Sequence, residues 1–154
     1  MNGAIKTASQ TGSHLTVTGD VTLATGAIAI TTDSGGVAAK DGNVTFNDKI
    51  DGAQTLTIDS GGGDVKLQGV VGGGSATGIS GLSINTNDET GTIEITDIGD
   101  ADSLGVTGTV AIGNSATATL TLDGTKYFTD GSTTFEASST GSGILITGAS
   151  PTIS

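Results

Sequence analysis

The densest group of chemically useful side chains lies at residues 94–102. Asp97, Asp100 and Asp102 follow Glu94 closely, on a stretch that also contains Gly99. Closely spaced carboxylates on a loop with glycine can bind Ca²⁺, which takes six to eight oxygen ligands. The spacing matches neither the EF-hand loop nor the nonapeptide of calcium-binding β-rolls, and aspartate is also favoured in turns for structural reasons. The sequence therefore indicates a possible calcium site, with a solvated acidic turn as the simpler interpretation.

Catalytic groups are scarce. His14 is the only histidine, and the sequence contains no cysteine. We expect His14 at a solvent-facing strand edge, and no Ser-His-Asp, Cys-His or His-based metal site. Glycoside hydrolysis needs two carboxylates at a fixed separation, but most acidic residues here stand in turn-like segments. We therefore predict that the protein is not an enzyme and has no cofactor, apart from the possible calcium ion.

The charge balance excludes several classes of partner. The chain of 154 residues has 16 acidic and 5 basic residues, a formal net charge of −11. Nucleic acids and anionic membranes require clustered positive charge, which is missing here. No apolar run reaches the length of a membrane span, and residues 1–10 do not have the pattern of a signal peptide. We therefore expect no nucleic-acid partner and no membrane insertion, and we expect any export signal to lie outside this chain.

The elements that position these residues are short β-strands. Within residues 42–73, apolar residues alternate with polar ones in three pieces, Val44–Phe46, Leu56 to Ile58 and Val65–Leu67. Alternation gives each strand one face to bury. The segments between them are rich in Gly, Asp, Asn and Ser, and are too short for a crossover helix. The pattern recurs along the chain without a break, which predicts a single all-β domain over residues 1–154.

Two architectures fit this spacing of strands. One is an antiparallel β-sandwich or jelly roll, and the other is a parallel β-solenoid. The motif apolar-Thr-apolar recurs, for example in Leu15–Val17 and again in Val44–Phe46, as expected if equivalent strands stack in register. Turns are glycine-rich and varied, unlike two-residue hairpin turns, and bulky aromatic residues are few. These features favour the solenoid, with coils of about 20–25 residues and six or seven coils in all.

Residues 42–96 resemble the repeat units of very large bacterial surface proteins of the filamentous-haemagglutinin type. The matching pieces are Val44–Phe46, residues 50–54, 56–58, 63–65 and 69–73, and Leu82 to Ile84. The resemblance implies a right-handed parallel β-helix that is exported and serves as a stalk for adhesion or surface display. It therefore implies an extracellular or cell-surface location.

The ends of such a rod suggest how it could assemble. A solenoid without caps exposes unpaired backbone groups and apolar core at each end, and the sequence contains no evident capping helix. We therefore predict a structural protein that stacks through its ends, either as the subunit of a head-to-tail homopolymer or as a stalk segment between flanking repeats. The alternative is an adhesin or binding module that recognises a glycan or a protein on another surface. That alternative would need an exposed aromatic platform, for which Tyr127, Phe128 and Phe135 are the candidates.

Overall fold

The computed structural model of the protein describes residues 2–6, 13–35, 41–73, 78–87, 89–100 and 105–154. These ranges contain β-strands and no helix. In chain order the strands are β1 (Asn2–Lys6), β2 (Leu15–Val17), β3 (Val21–Thr22), β4 (Thr25–Thr31), β5 (Val44–Phe46), β6 (Ile50–Asp51), β7 (Thr55–Asp59) and β8 (Val65–Leu67). They continue as β9 (Gly81–Ile84), β10 (Thr92–Ile95), β11 (Val110–Ile112), β12 (Thr119–Leu122), β13 (Lys126–Tyr127), β14 (Thr133–Phe135), β15 (Gly143–Ile146) and β16 (Thr152–Ile153).

The strands form three parallel sheets that enclose one core. Sheet 1 has the order β1-β4-β7-β9-β11-β14, and sheet 2 has the order β2-β5-β8-β10-β12-β15. Sheet 3 consists of β3, β6, β13 and β16, with Val71 and Ile98 as bridge residues that connect β6 to β13. Because the chain visits sheets 1, 2 and 3 in turn, each circuit adds one coil. The fold is a parallel β-solenoid, as the sequence predicts.

The antiparallel alternative is wrong. Every strand pair in the described part of the chain is parallel, and the partners of each strand come from neighbouring coils. A sandwich of hairpins would instead pair consecutive strands in opposite directions.

The core forms as the alternation predicts. In β5, Val44 and Phe46 are buried while Thr45 between them is half-buried. The same alternation holds in β8 and β12. Equivalent side chains of successive coils lie above one another, which produces continuous apolar columns inside the solenoid. In sheet 2 one inner column contains Leu15, Val44, Val65, Ile93, Leu120 and Ile144, and the other contains Val17, Phe46, Leu67, Ile95, Leu122 and Ile146.

The coils are fewer and longer than expected. Val17 lies opposite Phe46, 29 residues later, whereas Phe46 lies opposite Leu67, 21 residues later. Sheets 1 and 2 have six strands each, which corresponds to about five complete turns. The estimate of six or seven coils is wrong because some connections between sheets, such as that from β4 to β5, are longer than a minimal turn.

Glycine allows close approach of the backbone at the corner before sheet 2. Gly42, Gly63 and Gly91 stand at this corner in three successive coils. A Cβ atom at Gly91 would collide with the carbonyl oxygen of Gly63, and one at Gly63 would collide with that of Gly42. Only glycine therefore fits this spacing without displacement of the backbone.

Candidate functional site

The predicted calcium residues do not form a cluster in the described structure. The Oδ1 atom of Asp97 accepts hydrogen bonds from the backbone N–H groups of Thr125 (2.7 Å) and Lys126 (2.8 Å), which belong to the next coil. Asp100 is half-buried, and Asp102 lies outside the described residues. Asp97 thus anchors one coil to the next. Among the described residues, no group of three or more His, Cys, Asp or Glu side chains is placed to hold a metal ion. Calcium binding stays a prediction.

His14 also connects two coils. It is exposed, and its Nδ1 atom accepts a hydrogen bond from the N–H of Asn43 at 2.9 Å. The Oδ1 atom of Asn43 accepts in turn from the N–H of Asp64 (2.9 Å), and the Oδ1 atom of Asp64 accepts from the N–H of Thr92 (3.0 Å). His14, Asn43 and Asp64 each directly precede a strand of sheet 2. Together they form a column of polar side chains that pins successive coils in register.

A second polar column lies inside the solenoid at the corner between sheets 1 and 2. Ser60 and Asn85 are buried and exchange hydrogen bonds, and Asn114 donates from Nδ2 to the carbonyl oxygen of Asn85 at 2.8 Å. The N–H of Asn114 donates to Oγ1 of Thr117 at 3.0 Å. In the described part of the chain, no buried side-chain nitrogen or oxygen lacks a partner. The column is therefore fully satisfied, which makes it a structural element and leaves no free group for chemistry.

The outer part of this corner is acidic. Desolvation raises the pKa of Asp59 above its usual 3.8, and the nearby Asp33, Glu89 and Asp41 carboxylates raise it further. Desolvation also acts on Asp41, but hydrogen bonds from the N–H groups of Gly62 and Ser34 outweigh it and lower the pKa of Asp41. Each of these carboxylates accepts a hydrogen bond from a backbone N–H of its own or a neighbouring segment.

The aromatic residues do not form an exposed platform. Tyr127 is fully buried, its hydroxyl accepts from the N–H of Gly124 (2.8 Å), and it donates to the carbonyl oxygen of Ile95 (3.2 Å). Burial raises the pKa of Tyr127 to about 12. Phe135 packs edge-on against it with ring centroids 6.3 Å apart, and Phe128 is half-buried. Tyr127 is thus part of the core and Phe135 packs against it, and the three rings do not form one exposed surface.

One shallow groove runs along the outside of sheet 1. It is lined by Thr55, Ser80, Gly81, Leu82, Ser83, Thr109 and Ala111. The lining offers hydroxyl and aliphatic groups and no charged or aromatic side chain.

The most unusual surface is the end of the solenoid formed by β14, β15 and β16, here called the open end. In the described chain β15 pairs only with β12, and β16 pairs only with β13. Large apolar side chains are exposed there: Ile144 by 44%, Leu145 by 42%, Ile146 by 53% and Ile153 by 54%. Ile144 and Ile146 belong to the inner columns, whose members in the preceding coil are buried. In the described chain the open end therefore exposes side chains of the inner columns.

Comparisons with known proteins give no family for this chain. No protein-family model matches it, and neither the curated proteins nor the solved structures contain a significant match. The class that the fold defines is the parallel β-solenoid, and the resemblance to filamentous-haemagglutinin repeats stays a prediction. Within the described ranges, no helix has the length and apolar character that crossing a membrane requires.

Proposed function

We propose that the protein is a non-enzymatic structural element of a bacterial surface, a rigid rod that extends by stacking further β-coils on its open end. The observation that carries the proposal is the exposure of Ile144, Ile146 and Ile153, whose equivalents in the preceding coil are buried. Exposed apolar surface next to an unpaired strand edge favours addition of another strand. The covering coil belongs either to a second copy or to flanking repeats.

The sides of the rod support the same function. The formal net charge of −11 disfavours non-specific lateral contact between rods, because like charges repel. On sheet 2 the outward row includes Thr45, Lys66 and Glu94, and an ion pair of 3.1 Å joins Lys66 to Glu94. Polar sides and apolar ends together favour growth along the axis. The extracellular location is part of the proposal and depends on the resemblance described above.

The adhesin alternative has less support. It depends on an aromatic platform, and Tyr127 is buried while Phe128 and Phe135 are half-buried. The groove on sheet 1 is lined by no charged or aromatic side chain that could bind a glycan.

A tandem chain tests the proposal. The tandem joins Ser154 of one copy directly to Met1 of the next. Two residues would then connect β16 of the first copy to β1 of the second, as Leu23 and Ala24 connect β3 to β4 within the chain. Stacked strands are about 4.8 Å apart, so the six stacked strands of one copy span roughly 25 Å and a continuous tandem roughly 55 Å. Small-angle scattering should show one stiff rod of about twice the length, with a higher melting temperature than the single copy. Two jointed particles with the melting temperature of the single copy would contradict the proposal.

A further inference from the structure

The two ends of the solenoid present matching positions of the same columns. At the open end, sheet 2 exposes Ile144 and Ile146, and at the opposite end it presents the half-buried Leu15 and Val17. The register of the five strand pairs between them places Leu15 in the column of Ile144 and Val17 in that of Ile146. A copy added in register would therefore continue both columns.

Sheets 1 and 3 match in the same way. The register of sheet 1 places the half-buried Ile5 and Phe135 in one column. The strand pairs and bridges of sheet 3 place Val21 and Ile153 in one column. In a stack that continues these columns, apolar side chains would face each other on all three sides of the coil.

The charges at the two ends are complementary. Lys6 follows Ile5 at the end of β1, and Glu136 follows Phe135 directly after β14, so each lies one residue beyond the column that contains Ile5 and Phe135. Both side chains are exposed. In a head-to-tail stack Glu136 of one copy would lie above Lys6 of the next. The Lys66–Glu94 pair is a precedent within the chain, because these directly opposed residues of adjacent strands form an ion pair of 3.1 Å.

We infer that the open end is covered by the opposite end of a second copy of this chain, in the register that pairs Glu136 with Lys6. This inference rests on the proposed function and adds the identity and the register of the partner. The apolar columns provide the attraction, which does not by itself select one rotation of the copies. The charge pair selects the register, since opposite charges favour it and like charges oppose it.

Charge exchange tests the inference. Sedimentation velocity and electron microscopy at low ionic strength would compare the wild type with Lys6→Glu, with Glu136→Lys and with the double variant. Each single variant places like charges at the junction and should weaken end-to-end association by at least about tenfold. The double variant should associate like the wild type, and an equimolar mixture of the two single variants should form alternating fibres.

The two single variants control for net charge and for folding. Lys6→Glu makes the net charge of −11 more negative and Glu136→Lys makes it less negative, so net charge alone cannot explain a loss in both. Both side chains are exposed, and the melting temperature of the monomer should stay unchanged. Single variants that associate as well as the wild type, or a double variant that does not recover, would overturn the register. A wild type that stays monomeric would overturn stacking of one copy on another. The proposed function is tested separately, by the length and melting temperature of the tandem chain.

Discussion

Asn85 and Ser60, on adjacent coils, hold each other through a reciprocal pair of hydrogen bonds inside the solenoid. The Oδ1 atom of Asn85 accepts from the N–H of Ser60 at 2.9 Å, and its Nδ2 atom donates to Oγ of Ser60 at 2.8 Å. Asn85 is buried and has a φ of 45°, in the left-handed region that asparagine tolerates better than most residues. The side chain therefore links two coils in register, at a residue whose backbone makes the turn.

Replacement of Asn85 should be costly. Asn85→Ala leaves the buried N–H of Ser60 without an acceptor and keeps a non-glycine residue in the left-handed region. We expect a loss of about 2–4 kcal/mol in the free energy of unfolding, measured by urea denaturation. Asn87→Ala is the matched control, because Asn87 is exposed in the same turn, and it should cost less than about 0.5 kcal/mol. Equal effects of the two variants would contradict the structural role of this column.

Close packing of coils at the corner before sheet 2 gives a second prediction. Gly91→Ala would push a Cβ atom into the carbonyl oxygen of Gly63, so we expect a loss of about 3 kcal/mol in stability. Gly81→Ala is the control, since its Cβ would come within 3.3 Å of the Thr55 side chain and would meet the Thr109 carbonyl oxygen at an ordinary contact distance of 3.5 Å. Thermal melting should show a large decrease for Gly91→Ala and a small change for Gly81→Ala. Similar melting temperatures would mean that the coils do not approach closely here.

The burial of Tyr127 predicts how the stability of the protein depends on high pH. It is the only tyrosine, so tyrosinate absorbance reports on it alone. Burial raises its pKa to about 12 in the folded state, against 10.0 for the free side chain. The stability linked to the neutral phenol is complete below pH 10 and is lost as pH rises towards 12. A shift of about two units corresponds to about 3 kcal/mol at most.

The matched variant for this test is Tyr127→Phe. It should be less stable at neutral pH, because the N–H of Gly124 loses its acceptor, and its stability should fall less between pH 10 and pH 12. If the stability of both proteins changed with pH in the same way, and tyrosinate formed near pH 10 in the wild type, Tyr127 would not be buried as described.

Substitutions of Asp97 distinguish a structural role of the acidic stretch from calcium binding. Asp97→Ala removes the acceptor of the Thr125 and Lys126 N–H groups and should cost about 1.5–3 kcal/mol. Asp97→Asn keeps an acceptor oxygen and should lose less than half of that amount, and Asp130→Ala, at an exposed turn residue, serves as the control. On the structural interpretation, melting curves with added calcium and with chelator coincide. A calcium-dependent increase that Asp97→Asn abolishes would instead support the calcium prediction.

The sequence predicts the strands because alternation in Val44–Phe46 and in Val65–Leu67 identifies inner and outer faces locally, and the recurrence of the apolar-Thr-apolar motif favours the solenoid. It does not predict the polar columns. The partners of Ser60, Asn43 and His14 lie 21 to 29 residues away, and this distance varies from coil to coil with the length of the corners. From sequence, Asp64 and Asp97 are interpreted as turn residues that bond locally, whereas each bonds to the backbone of the next coil. Only the register of the stacked strands reveals these pairs.

Coverage of the open end is tested most directly by hydrogen exchange in β15 (Gly143–Ile146). In the dilute single copy, β15 has a partner strand on one side only, so its amides should exchange faster than those of β12. In the first half of the tandem chain, stacking of the second copy should slow exchange in β15 by at least about tenfold, to a level near that of β12. Equal exchange of β15 in the single and tandem chains would show that no coil stacks on Ile144 and Ile146, and would contradict the account.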